Sequence, residues 1–132
     1  MAAPLRIKRL EQQIQEKVAT VLLRDLSDPR MGLVTITRVA LSKDLETCDV
    51  YWSTLDEGKK RDLTERALDS ARGFVQRAVA GTLALRSAPR LRFVFDKAFA
   101  AATRVQELIG KARAEDEARR AGKAEPEKDP ET

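Results

Sequence analysis

Few side chains in this chain can do covalent chemistry. It has no histidine and one cysteine, Cys48. The lack of histidine removes Ser-His and Cys-His nucleophile arrangements and the commonest metal ligand. A single cysteine excludes an intrachain disulfide and a cysteine zinc cluster. Cys48 stands between Thr47 and Asp49 at the start of an apolar run and reads as a buried structural thiol. Asp44, Glu46, Asp49 and Asp96 could gather magnesium, as in some nucleases, but Asp44 and Glu46 fall at a hairpin turn, where such residues are ordinary. No catalytic residue, metal ligand set or cofactor is assigned, and the expectation is a protein that binds rather than an enzyme.

Cations carry the binding reading. The 132 residues hold 25 Lys+Arg against 21 Asp+Glu, for a formal net charge of +4. Through Gly110 there are 19 basic and 14 acidic residues, whereas the remainder is −1, so the basic excess belongs to the part able to fold. A pI near 9.5 on a small domain makes nucleic acid the first partner to consider. The candidate RNA contacts are Arg6, Lys8 and Arg9, then Arg38 and Lys43, then Ala71, Arg72, Gly73 and Arg77, then Arg86 and Arg90, with Arg92 beside them. Arg offers phosphate a bidentate fork. A solvated surface accounts equally well for any one of these cations taken alone.

Elements to position them can be read from periodicity. Pro4 suits the first position of a helix, and Ile7, Leu10, Ile14, Val18, Val21 and Leu22 form one helical stripe. Arg6, Lys8 and Arg9 crowd its first turns, where the helix dipole disfavours cations, so helix stability does not explain them. Leu26-Ser27-Asp28-Pro29-Arg30-Met31-Gly32 is a turn, with Asp28 capping N–H groups and Gly32 free to take a positive φ. Leu33–Leu41 reads as a strand whose alternation changes phase, which calls for a bulge near Thr37-Arg38. Cys48, Val50, Trp52 and Thr54 alternate in a second strand, paired antiparallel with the first. In that strand Tyr51 and Trp52 point to opposite faces, so at most one could stack a base, and Trp52 shares the core phase.

Leu63–Leu83 keeps helical spacing across Gly73, where glycine costs about 1 kcal/mol against alanine. The spacing is read as two helices joined by a kink at Ala71-Arg72-Gly73, with Arg72 at an exposed apex and a helix N-terminus open to phosphate. Pro89 breaks the helical run, and Leu91, Phe93 and Phe95 alternate in a third strand, which a crossover of this length allows to lie parallel to the second. Ala98 to Ala112 suggests a last amphipathic helix. Residues 1–112 are thus expected to form one domain, and 113–132 a disordered charged tail. No apolar run reaches membrane-span length and no signal-peptide core is present, so a cytoplasmic protein is expected.

This order, α+β with helix-strand-strand-helix-kink-helix-strand, is that of a type II KH domain: a three-stranded sheet with helices packed on one face. KH domains that clamp single-stranded RNA carry a GXXG loop. This chain has none and places Ala71-Arg72-Gly73 there. Asp28-Pro29-Arg30, VTITRVALSKDL at 34–45, VYWSTL at 50–55 and LRSAPRLRFVFD at 85–96 accompany it in order. Together these resemble the ribosome-binding factor A family over about Leu5 to Ile109. KAFAAATRV after Asp96 lacks an expected serine, and Arg77 comes later than the basic residue of the family's Gly-Phe-Leu-Arg pattern.

The resemblance implies a monomeric, non-enzymatic assembly factor. It would bind the immature 30S small subunit and its 16S rRNA, promote late maturation including processing of the precursor's 5′ end, and support growth in the cold. A ribosome-associated GTPase would release it. A general KH-like single-stranded RNA-binding module, or one that docks on a ribosomal protein, is the alternative.

Overall fold

The structure, a computed structural model, describes the backbone of residues 3–128 and the side chains of residues 3–122. The elements run α1 (Pro4–Arg24), β1 (Thr35–Leu41), β2 (Thr47–Ser53), α2 (Lys59–Ala80), β3 (Arg90–Phe95) and α3 (Lys97–Lys128). The sheet order is β1-β2-β3, with β1 antiparallel and β3 parallel to the central β2. This is the α+β, KH-like order expected from the sequence. No described helix is long and apolar enough to cross a membrane.

α1 begins at Pro4 and buries Leu10, Ile14, Val18 and Val21. These meet Val39, Leu41, Cys48, Val50, Leu91 and, from α2, Val75 and Val79 in one core. Trp52 lies on the same face of β2, is 1% exposed, and meets the edge of Phe95 at 5.1 Å. The phase change in β1 is a bulge: Ile36 faces Trp52 and Arg38 faces Tyr51, leaving Thr37 as the extra residue. Its hydroxyl donates to Asp96 Oδ2 at 2.6 Å, tying the bulge to the end of β3.

Three expectations are corrected. First, α2 is one uninterrupted helix through Ala71-Arg72-Gly73, and Gly73 has no positive φ. Ala67, Leu68, Ala71, Val75 and Val79 hold one buried or half-buried stripe across the glycine. Packing of that stripe outweighs the roughly 1 kcal/mol that glycine costs. Second, α3 runs on through Arg113 to Lys128, where a disordered tail was expected. All described residues from Arg104 to Gly122 are exposed, so helix propensity rather than packing explains this. An Arg120–Asp116 pair at 3.1 Å adds to it. The rest of the expected tail, 129–132, lies outside the described residues. Third, Gly32 does not take a positive φ. It sits in close approach instead: its N–H bonds Thr64 Oγ1, and an added Cβ would stand 2.5 Å from Asp56 Oδ2, so the Asp56 side chain would have to shift.

Candidate nucleic-acid interface

Register and a few side-chain bonds decide which cations share a surface. Glu11 of α1 accepts the N–H of Leu41 at 2.9 Å, and Gln15 donates to the carbonyl of Ile36, so α1 runs antiparallel to β1 with its first turns beside the β1–β2 turn. Leu41 faces Cys48, and Cys48 faces Leu91. The Arg90 N–H reaches the Glu46 carbonyl at 2.8 Å. Gln76, near the end of α2, donates to the Pro89 carbonyl at 2.7 Å and accepts the Leu91 N–H at 2.8 Å. The start of α1, the β1–β2 turn, the end of α2 and the start of β3 therefore meet at one end of the sheet.

Seven of the expected contacts lie there and all are exposed: Arg6, Lys8, Arg9, Lys43, Arg77, Arg86 and Arg90. Lys43 is held out by a well-bonded turn. Ser42 Oγ accepts the Glu46 and Thr47 N–H groups and donates to Asp44 Oδ1, which accepts the Glu46 N–H as well. The hydroxyl of Ser42 is the main reason the Asp44 carboxyl sits below its ordinary range. Leu45 closes the turn at φ 64°, an uncommon conformation for a non-glycine residue.

The other expected residues are placed differently. Arg72 is half-buried rather than an exposed apex, and α2 has no open N-terminus beside it to receive a phosphate. Ala71 packs on the core. Gly73 is exposed, and a Cβ there would meet only Arg77 Nη1, at an ordinary 3.7 Å. Nothing within the fold requires a glycine at 73. Phe74 beside it is 42% exposed, an outward aromatic on α2. Arg38 lies midway along the edge strand β1 with its guanidinium 3.6 Å from the Tyr51 ring centre, and its Nε faces Asp96 at 3.7 Å.

The carboxylates weighed as magnesium ligands are not gathered. The Asp44 carboxylate serves the turn, Glu46 is exposed, Asp49 holds Arg92 bidentately at 3.0 Å, and Asp96 accepts from Thr37. Among the described residues no group of three or more His, Cys, Asp or Glu could hold a metal ion. Cys48 is buried, and burial, followed by Asp49 and Glu11, pushes its thiol up to about 12. The residue that the sequence reading missed is Gln76. Its only signal was an amide among the inward positions of an amphipathic helix.

The ribosome-binding factor A family model matches residues 6–109. Ribosome-binding factor A of Shewanella sediminis is 39% identical over 116 residues, 86% of this chain and 80% of the relative. The crystal structure of ribosome-binding factor A from Thermus thermophilus superposes with a TM-score of 0.59 at 32% identity, covering 67% of this chain and 93% of that one. A homology model of Thermus thermophilus RbfA, fitted into the cryo-EM map of a 30S–RbfA complex, superposes with a TM-score of 0.51 at 31% identity over 69% of this chain and 91% of that one.

Proposed function

The chain belongs to the ribosome-binding factor A family, and from that membership we propose that it is a ribosome assembly factor that binds the small ribosomal subunit. The relative described with the 30S subunit supports the partner. One observation from the fold supports the means: seven exposed cations sit on elements that meet at one end of the sheet. Such a cluster suits the phosphate backbone of ribosomal RNA, which rewards cations on one surface and releases counterions on contact.

In this reading the protein does not catalyse a reaction. It occupies 16S rRNA in the immature subunit and holds it open until separate nucleases have processed the 5′ end. Arg6, Lys8 and Arg9 contact the backbone from α1, Lys43 from the turn, and Arg77, Arg86 and Arg90 from the other side. The exposed backbone at Gly73 lets an RNA strand approach α2 closely between Ala71 and Arg77, with Arg72 alongside. Release falls to a ribosome-associated GTPase. The protein works as a cytoplasmic monomer, and its contribution is greatest in the cold, when misfolded RNA escapes slowly.

Co-sedimentation with purified small subunits tests the reading. The protein should pellet with immature subunits, less with mature ones, and its binding should fall steeply with added salt. Equal recovery at low and high salt would point instead to docking on a ribosomal protein.

A further inference from the structure

The face of the sheet turned away from α1 and α2 is not bare. Register places Arg38 opposite Tyr51, Tyr51 beside Val94, Asp49 beside Arg92, and Thr47 beside Arg90. Side chains alternate along a strand, so Arg90, Arg92 and Val94 share the face opposite Leu91, Phe93 and Phe95. The outer surface is thus built from Arg38 and Ala40, then Thr47, Asp49 and Tyr51, then Arg90, Arg92 and Val94.

Two features of this face point to one kind of ligand. The first is its charge as solvent meets it. The Arg38 and Arg92 side chains are 59% and 72% exposed, whereas the Asp96 and Asp49 carboxylates they face are 9% and 28% exposed. The carboxylates are used within the fold, Asp49 by both guanidinium nitrogens of Arg92 and Asp96 by Thr37. Arg90 has no ion-pair partner among the described residues. The second feature is a stacked pair: the Arg38 guanidinium lies on the Tyr51 ring at 3.6 Å. Guanidinium planes and aromatic rings are the platforms on which unpaired bases stack. A protein partner would want a desolvated apolar anchor, and this face offers only Ala40 and Val94 around the stacked pair.

The face also continues from the basic end. Arg90 is the corner residue, first in β3 and next to the turn, and Tyr51 lies level with Val94, about 13 Å further along the strand. We propose that the open face of the sheet is a second RNA-binding surface, on which single-stranded RNA leaving the basic end runs past Arg90 and Arg92 and stacks a base on the Arg38–Tyr51 pair. The inference rests on the RNA reading above. It gives the domain two RNA contacts of different character: phosphate capture at the end of the sheet, and base stacking across its back.

The chain's single tyrosine makes the test direct. Protein carrying ¹³C-labelled tyrosine gives one set of ring signals, followed by NMR as a short single-stranded RNA oligonucleotide is added. The ring signals should move upfield as a base stacks. Tyr51→Val, which keeps a strand-forming side chain, should weaken oligonucleotide binding roughly tenfold. Arg92→Gln, on an exposed side chain, should weaken it by less and serves if Tyr51→Val does not fold. Ring signals unmoved at saturating RNA, or unchanged affinity in the folded variants, would overturn the proposal. So would signals that move with whole small subunits but not with the oligonucleotide, since a ribosomal protein would then cover this face. Failure of the wild-type protein to pellet with subunits would instead count against the function proposed above, so the two can fail separately.

Discussion

The Gln76 side-chain amide pairs with the backbone on both sides of Arg90, donating to Pro89 and accepting from Leu91, whose N–H lies 2.8 Å from Gln76 Oε1. One side chain from α2 thus stands in for a neighbouring strand at the start of β3. It fixes the end of α2 against the sheet, and with it the separation of Arg77 from Arg90. Gln76→Ala strands a half-buried N–H and a carbonyl and should cost about 2 kcal/mol in chemical denaturation. Gln76→Glu keeps the acceptor and loses the donor, so it should fall between wild type and the alanine variant. An alanine variant as stable as wild type would mean that water replaces the amide at no cost.

Gly73 should separate stability from function. Its Cβ position is open and its conformation helical, so Gly73→Ala should stabilise the fold by about 1 kcal/mol. The added methyl group stands where an RNA backbone would approach, so subunit binding should weaken. A variant that is both more stable and fully competent would show that no partner comes close at this position.

Much of this fold is legible in the sequence, for physical reasons. Strand alternation has a period of two, so the single phase change before Val39 could only be a bulge, and Thr37 is that residue. The Cys48-Val50-Trp52 phase marked the buried face of β2, which leaves Tyr51 on the other side. The continuity of α2 was not legible, because the local cost of Gly73 is visible in the sequence and the sheet packing that offsets it is not. The extent of α3 was missed for a related reason: scarce apolar residues argue against packing but not against a helix rich in Ala, Glu, Lys and Arg. The candidate site was legible as a set of cations and not as a place. Only the register through Leu41, Cys48 and Leu91 brings Arg9, Lys43 and Arg90 to one end and leaves Arg38 on the back of the sheet.

Asp28 gives a prediction on pH. The side-chain hydrogen bond from Arg30, then the Arg30 backbone N–H, hold its carboxyl below the ordinary value of 3.8. A lowered folded-state value contributes stability that is present above the unfolded value and lost as pH falls through the folded one. The gap in unfolding free energy between wild type and Asp28→Asn should be steady above about pH 5 and close below about pH 4. The pair is exposed, so added salt should narrow the gap. A gap that widens with acid would contradict the assignment.

Cys48 gives another. Its thiol, raised to about 12, stays protonated at neutral pH and is shielded by the core. Alkylation should be negligible in the native protein and fast once denaturant unfolds it, because the thiolate is the nucleophile. The raised value has the opposite sign for stability to that of Asp28. Unfolding releases the proton more readily, so stability should decline as pH rises past about 8.5, the ordinary thiol value. Rapid labelling of folded protein at neutral pH would show that the core around β2 opens.

The central claim is that the basic end of the sheet holds the RNA of the small subunit, and charge reversal at that end tests it most directly. Arg9, Arg77 and Arg90 come from α1, α2 and β3, are exposed, and have no ion-pair partners among the described residues. Affinity of wild type and the triple Glu variant for immature small subunits should be measured by co-sedimentation across a salt series, with thermal unfolding as the control for folding. The variant should fold, its affinity at low salt should fall more than about tenfold, and its salt slope should be shallower by about one for each phosphate that is no longer neutralised. A folded variant that binds with wild-type affinity and an unchanged salt slope would contradict it.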